Sequence, residues 1–269
     1  MPEPIREHNK KAAAMWGSGG RAYDAISRSI ADATEHCVIR LNPSPGENVA
    51  DVATGTGWTS RAVARRGAKV VGIDIAEGML SAAREIAHEQ SLTIDYQLGD
   101  AEALPFPDAA FDGVISTFGV MFAPGQARAA SELARVCKRG GRVAIAAWTP
   151  TSQAVSLRQA LQPFMGAPPA PPPPSPFVWG TREWTGTTLG RDFQIAAEEG
   201  TAISRFSSAE EVWEVYSRGF GPVMAVVAGL DAGRRNELRN AVIEWATQLR
   251  SELGVAIPLD YLVTIGQRR

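Results

Sequence analysis

The chain has 269 residues with 27 Lys+Arg against 29 Asp+Glu and no basic run, which argues against a nucleic-acid surface or a polybasic membrane patch. Two distant cysteines, Cys37 and Cys137, form no CxxC pair, so neither structural disulfides nor a metal site is expected and a reducing cytoplasm fits. No apolar run reaches the ~20 residues of a membrane span, and the N-terminus lacks the apolar segment of a signal peptide.

Residues 1–45 precede the first strand. Asn9 to Trp16 patterns as a helix, and Gly17-Ser18-Gly19-Gly20 breaks it. Ile26, Ile30, Ala33, Cys37 and Leu41 at helical spacing predict one further helix from Tyr23 to Leu41. The glycine-serine break leaves two readings of the first helix, a hinged lid or a helix that simply packs on the sheet. Pro43-Ser44-Pro45-Gly46 then ends the segment.

From 46 to 150 strand and helix alternate. Strands are predicted near 47–53, 69–74, 92–98, 111–117 and 142–148, and helices near 58–66, 77–90 and 125–137. Lys69-Val-Val-Gly-Ile-Asp74 is a near-continuous apolar run ending in an acid, as expected of a strand buried on both faces. Such alternation predicts an α/β fold with a doubly wound, mostly parallel sheet and right-handed crossovers. Ligands then bind beyond the carboxyl ends of the strands, where Asp51, Asp74, Asp100 and Thr117 fall.

After Pro150 a helix is predicted over 152–165, followed by a proline-rich stretch over 167–176 that suits an extended spacer or rim loop. A strand near 193–206 and a final one at Tyr261–Ile265 bring the sheet to seven strands. Between them, helices are expected from Ser207 to about 218 and from Asp231 to about Leu253. Residues 151–269 thus read as a substrate-side helical insertion plus the closing strands of the same domain.

The stretch Val49-Ala50-Asp51-Val52-Ala53-Thr54-Gly55-Thr56-Gly57 reads as a buried strand entering a glycine turn, with a helix N-terminus directly behind it. A dinucleotide fingerprint requires GxGxxG, and counting from Gly55 puts Ser60 at the third glycine, a poor match. The turn instead resembles that of the class I S-adenosylmethionine (SAM)-dependent methyltransferases, particularly the group including quinone-biosynthesis enzymes. Further points of resemblance are Gly72-Ile-Asp74-Ile75 with Met79-Leu80, Gly99-Asp100-Ala101-Glu102-Ala103-Leu104-Pro105-Phe106, Phe111-Asp112-Gly-Val-Ile-Ser116, and Glu132 to Val136 with Lys138 to Gly141. Ala53 stands where the family has its first glycine, and Arg139 replaces a proline common before the paired glycines.

The resemblance implies a seven-stranded Rossmann-like methyltransferase fold, with SAM as cofactor. Its site is expected on Asp51, Ala53, Thr54, Gly55, Thr56 and Gly57, on Asp74, Ile75 and Met79, on Asp100, Ala101 and Glu102, and on Thr117. Asp74 would grip the ribose hydroxyls and Asp100 the adenine amino group, while Tyr23 and Trp16 would close on the site from the N-terminal segment. Phe118, Met121, Phe122 and Trp148 follow strand ends on the ligand side and are expected to meet an apolar or aromatic small-molecule acceptor. Trp179, Trp184 and Tyr216 extend that expectation, whereas Trp213 and Phe220 suit core packing better.

No catalytic cluster is evident, and displacement at an activated sulfonium needs none. Of three histidines, only His8 is a candidate base. His36 suits packing or the surface, and His88 solvent. A homodimer is compatible with the sequence, but no nucleic-acid or membrane partner is indicated. Two other readings stand beside the methyltransferase: an NAD-type oxidoreductase, and a non-catalytic SAM-binding regulator lacking an acceptor pocket.

Overall fold

The structure is a computed structural model describing residues 5–166 and 172–269, so the start of the proline-rich stretch lies outside the described residues. Helices α1 (Lys10–Gly17), α2 (Tyr23–Ser29) and α3 (Ala31–Leu41) precede strand β1 (Asn48–Val52). Then come α4 (Trp58–Ala64), β2 (Lys69–Asp74), α5 (Glu77–Glu89), β3 (Asp95–Leu98), β4 (Phe111–Thr117), α6 (Gln126–Val136) and β5 (Cys137–Trp148). The second half holds α7 (Gln153–Leu161), α8 (Arg182–Thr188), β6 (Phe193–Phe206), α9 (Ala209–Gly219), α10 (Gly221–Ala228), α11 (Ala232–Thr247), β7 (Arg250–Ser251) and β8 (Gly254–Arg268).

The strands form one sheet in the order β3-β2-β1-β4-β5-β8-β6, with the two-residue β7 added on β8. β1, β2, β3, β4 and β5 pair parallel, while β8 runs antiparallel between β5 and β6. Strand order reverses between β1 and β4, so right-handed crossovers send α4 and α5 to one face and α6 to the other. Val49, Val52, Val114, Ile115, Val143 and Ile145 fill the core between the layers. Among the described residues, no helix is long and apolar enough to cross a membrane.

The single helix expected over 23–41 is two, broken at Ile30, whose backbone (φ −123°, ψ 24°) leaves the helical region. Ser29 Oγ meets Ser204 Oγ of β6 at 3.0 Å, and the Ile30 side chain is buried, so tertiary contacts hold the break open. The glycine-serine stretch is a tight crossing: a Cβ on Gly19 would run into the Gly219 carbonyl at the end of α9, so glycine serves close approach there. The last helix ends at Thr247, short of the expected 253. Helices α8 and α10 were not expected.

Candidate active site

At the switch point the chain leaves β1 through a turn in which Ala53, Gly55 and Gly57 all have positive φ. Ala53 is the costly one, since a Cβ in the left-handed region is strained by roughly 1–2 kcal/mol. The loop after β4 makes room for it: a Cβ on Gly119 would come within 2.5 Å of the Ala53 Cβ. Gly57 opens α4, and a side chain there would overlap the Tyr96 hydroxyl.

Asp51 is buried beneath the turn and accepts 2.6 Å bonds from Thr54 Oγ1 and Ser60 Oγ. Burial pushes its pKa up to about 6, with those hydroxyl bonds pulling the other way. Asp74, at the tip of β2, accepts from Gly55 N at 2.8 Å through one oxygen and from Ala76 N at 2.9 Å through the other. Burial likewise lifts it to about 6 against those N–H bonds. Each Asp74 oxygen keeps one unused acceptor direction, which suits a vicinal pair of hydroxyls. Asp100 accepts from Glu102 N, Arg6 N and the Asn9 side chain, leaving about one acceptor direction of four.

A narrow cavity of ≈ 110 Å³ runs over these groups. Of the residues expected at a cofactor, Tyr23, Ala53, Thr54, Gly55, Asp74, Ile75, Met79, Asp100, Ala101 and Thr117 line it. Asp51, Thr56, Gly57 and Glu102 do not; they sit behind the wall and shape it. Glu102 binds His8, Asn9 and the Gly125 N–H, and Thr56 Oγ1 donates to Asp24 Oδ1. Trp58 and Asn9 line the cavity without having been singled out.

A second cavity, ≈ 560 Å³, opens beside the first between α1, α2, α7, α10 and the end of β5. Ala12, Trp16, Tyr23, Ile30, Phe118 and Phe122 line both, so these six side chains form the passage between them. Trp16 packs on Phe122 at 5.2 Å, and Phe118 stacks on Trp148 at 3.6 Å. Two expected acceptor contacts are elsewhere. Met121 is buried away from both cavities, and Trp179, in the 3₁₀ turn over Pro176–Gly180, is buried with its ring 4.4 Å from that of half-buried Trp184 on α8. Conversely Phe220, read as core, lines the second cavity with Tyr216.

His8 points at Glu102 (3.1 Å) and lines neither cavity, so the geometry gives it an anchoring place at the edge of the site. His36 bridges Tyr261 and Glu198 at 3.0 Å each. One link escaped the sequence reading. Arg61, almost fully buried on α4, donates to Thr56 O at 2.5 Å and to Asp24 Oδ1 at 2.9 Å, which ties α2 to the glycine turn. Only its distance in sequence from Asp24 hid it.

A methyltransferase-domain family model matches residues 50–145, from β1 to β5. A demethylmenaquinone methyltransferase from Thermobifida fusca is 37% identical over 144 residues, 51% of this chain and 60% of that protein. The chain belongs to the class I SAM-dependent methyltransferase family. An uncharacterised protein of Mycobacterium tuberculosis is 34% identical over 273 residues, covering 99% of this methyltransferase-family chain and 98% of its own. Among solved structures, the YcgJ protein of Bacillus subtilis superposes with a TM-score of 0.61 over 88% of this chain and 99% of that one, at 18% identity.

Proposed function

We propose that the protein is a SAM-dependent methyltransferase that methylates a small apolar or aromatic molecule by in-line displacement. The observation carrying this is the pair of adjoining cavities. One is lined by the Asp74 and Asp100 carboxylates and the glycine turn, the other by aromatic and aliphatic side chains, and six residues are common to both.

The residues fit SAM. Asp74 offers one acceptor to each ribose hydroxyl, and the remaining acceptor of Asp100 suits an exocyclic amine. Gly55, Ile75, Met79 and Ala101 supply small or apolar walls between them. When bound, the sulfonium supplies an already activated methyl group. Positioning two reactants can lower the barrier by roughly 7–11 kcal/mol, so no base is needed for an acceptor that is already deprotonated. Phe118 and Phe122, with Trp16 and Tyr23 from the N-terminal helices, would exclude water at the junction and hold the acceptor in line.

A large second cavity favours an enzyme over a non-catalytic SAM binder, and the Ser60 position disfavours NAD. Calorimetric titration with SAM, S-adenosylhomocysteine and NAD tests the reading, together with a labelled-methyl screen of phenols, quinone precursors and apolar carboxylic acids. SAM binding with methyl transfer to one of these is expected. NAD binding without SAM binding refutes it.

A further inference from the structure

We infer that the second cavity selects an acceptor with an apolar body and an anionic oxygen end, such as an apolar carboxylate. The inference rests on the methyltransferase reading of the first cavity and names the acceptor class for it.

Two observations carry it. The first is the charge of the lining: Lys11 and Arg158 face the cavity, and no Asp or Glu does. On α7, Ala154, Leu157, Arg158 and Leu161 fall at i, i+3, i+4 and i+7, so Arg158 lies on the helix stripe that walls the chamber. Both cations are exposed, which places them at the rim, and neither makes an ion pair among the described residues. This contrasts with buried Arg61 and with Arg135 and Arg142, whose guanidiniums are taken up by Asp24, Glu132 and Glu47.

The second observation is the state of the neutral polar groups. The Tyr216 ring is wedged between Phe206 and Phe220, and its hydroxyl has no hydrogen-bond partner among the described residues. Tyr23, in the passage, is likewise without one. Burial raises both phenols, Tyr23 to about 12 and Tyr216 further, so both stay protonated and each has an O–H free to donate to an anionic oxygen. Other polar atoms are already spoken for: Ser29 and Ser204 bond each other, Gln153 Oε1 accepts from Ser156, and the Trp245 N–H donates to Ser156. The lining side chains therefore present positive charge, two hydroxyls with a proton to donate, and no carboxylate. An ammonium guest would meet two like charges and no carboxylate, whereas an anionic end gains a modest charge-assisted contact from rim cations that water otherwise solvates.

The test uses three probes with one body: biphenyl-4-carboxylate, 4-phenylbenzyl alcohol and 4-phenylbenzylamine. Binding to the full chain is followed by quenching of Trp16, Trp148 and Trp245, which line the cavity. The carboxylate is expected to bind at least about tenfold more tightly than the amine, in keeping with a charge-assisted contact at a partly exposed rim. The variant Lys11→Gln/Arg158→Gln should lose that preference while binding the alcohol as the wild type does. Equal or tighter amine binding, no carboxylate binding up to its solubility limit, or a preference that survives the double substitution overturns the inference. SAM binding is titrated separately on both proteins. Its absence refutes the methyltransferase reading while leaving the carboxylate preference readable on its own.

Discussion

Replacing Asp74 by Asn removes charge and one acceptor while keeping the shape of the side chain. In the wild type both carboxylate oxygens already accept backbone N–H bonds, from Gly55 and Ala76. An Asn amide must turn its NH2 toward one of those N–H groups, and it retains a single oxygen for the two ribose hydroxyls. A hydrogen bond to a charged acceptor contributes about 1.5–3 kcal/mol, so SAM affinity should fall by roughly ten- to 150-fold. The fold should tolerate the change, because a lost backbone bond of about 1 kcal/mol is offset by no longer burying a carboxylate that resists ionisation. Calorimetry with SAM and S-adenosylhomocysteine reads the affinity, and a thermal melt reads the fold. An affinity within threefold of wild type, with an unchanged melt, would remove Asp74 from the cofactor site.

SAM affinity should also titrate. Asp74 must be ionised to accept both hydroxyls, so binding should weaken as pH falls through about 6 and level off above it, with Asp74→Asn flattening most of that slope. Stability of the ligand-free protein carries the opposite sign. Asp51 and Asp74 have folded pKa values of about 6, above the 3.8 of an ordinary aspartate, so their contribution is greatest below that ordinary value and declines as pH rises to about 6. Gly57→Ala forces a side chain against Tyr96 and 3.2 Å from the Ala83 Cβ at a φ of +79°, so denaturant unfolding should show a loss of at least about 2 kcal/mol of stability. Ala53→Gly relieves left-handed strain but raises unfolded-state entropy, so stability should change by under about 1 kcal/mol with SAM binding kept. His8→Ala should leave kcat within threefold, because His8 is committed to Glu102; a hundredfold loss would restore it as a base.

The parts of this molecule written locally could be read before the structure. Buried parallel strands advertise themselves as apolar runs such as Lys69 to Asp74, and the acids at their tips stand out because they interrupt apolar sequence. What stayed hidden depends on partners distant in the chain. The break at Ile30 follows from Ser204, and the buried Arg61 is intelligible only beside Asp24. Helix α10 is apolar on nearly every side and begins Gly221-Pro222, so no amphipathic period reveals it. Phe220 was read as core for a related reason: an apolar side chain facing a cavity and one facing a neighbour look the same in sequence.

The six residues of the passage have a consequence for descent. Four of them, and nearly all of the larger chamber, lie outside the 50–145 stretch that defines the family match. Selection can therefore rewrite the larger chamber by editing the flanks, α7 and α10 above all, with the glycine turn and the strand-tip acids left untouched. Two proteins alike through that middle stretch can serve different chemistries, and kinship of purpose is better judged from α7 and α10 than from the glycine turn.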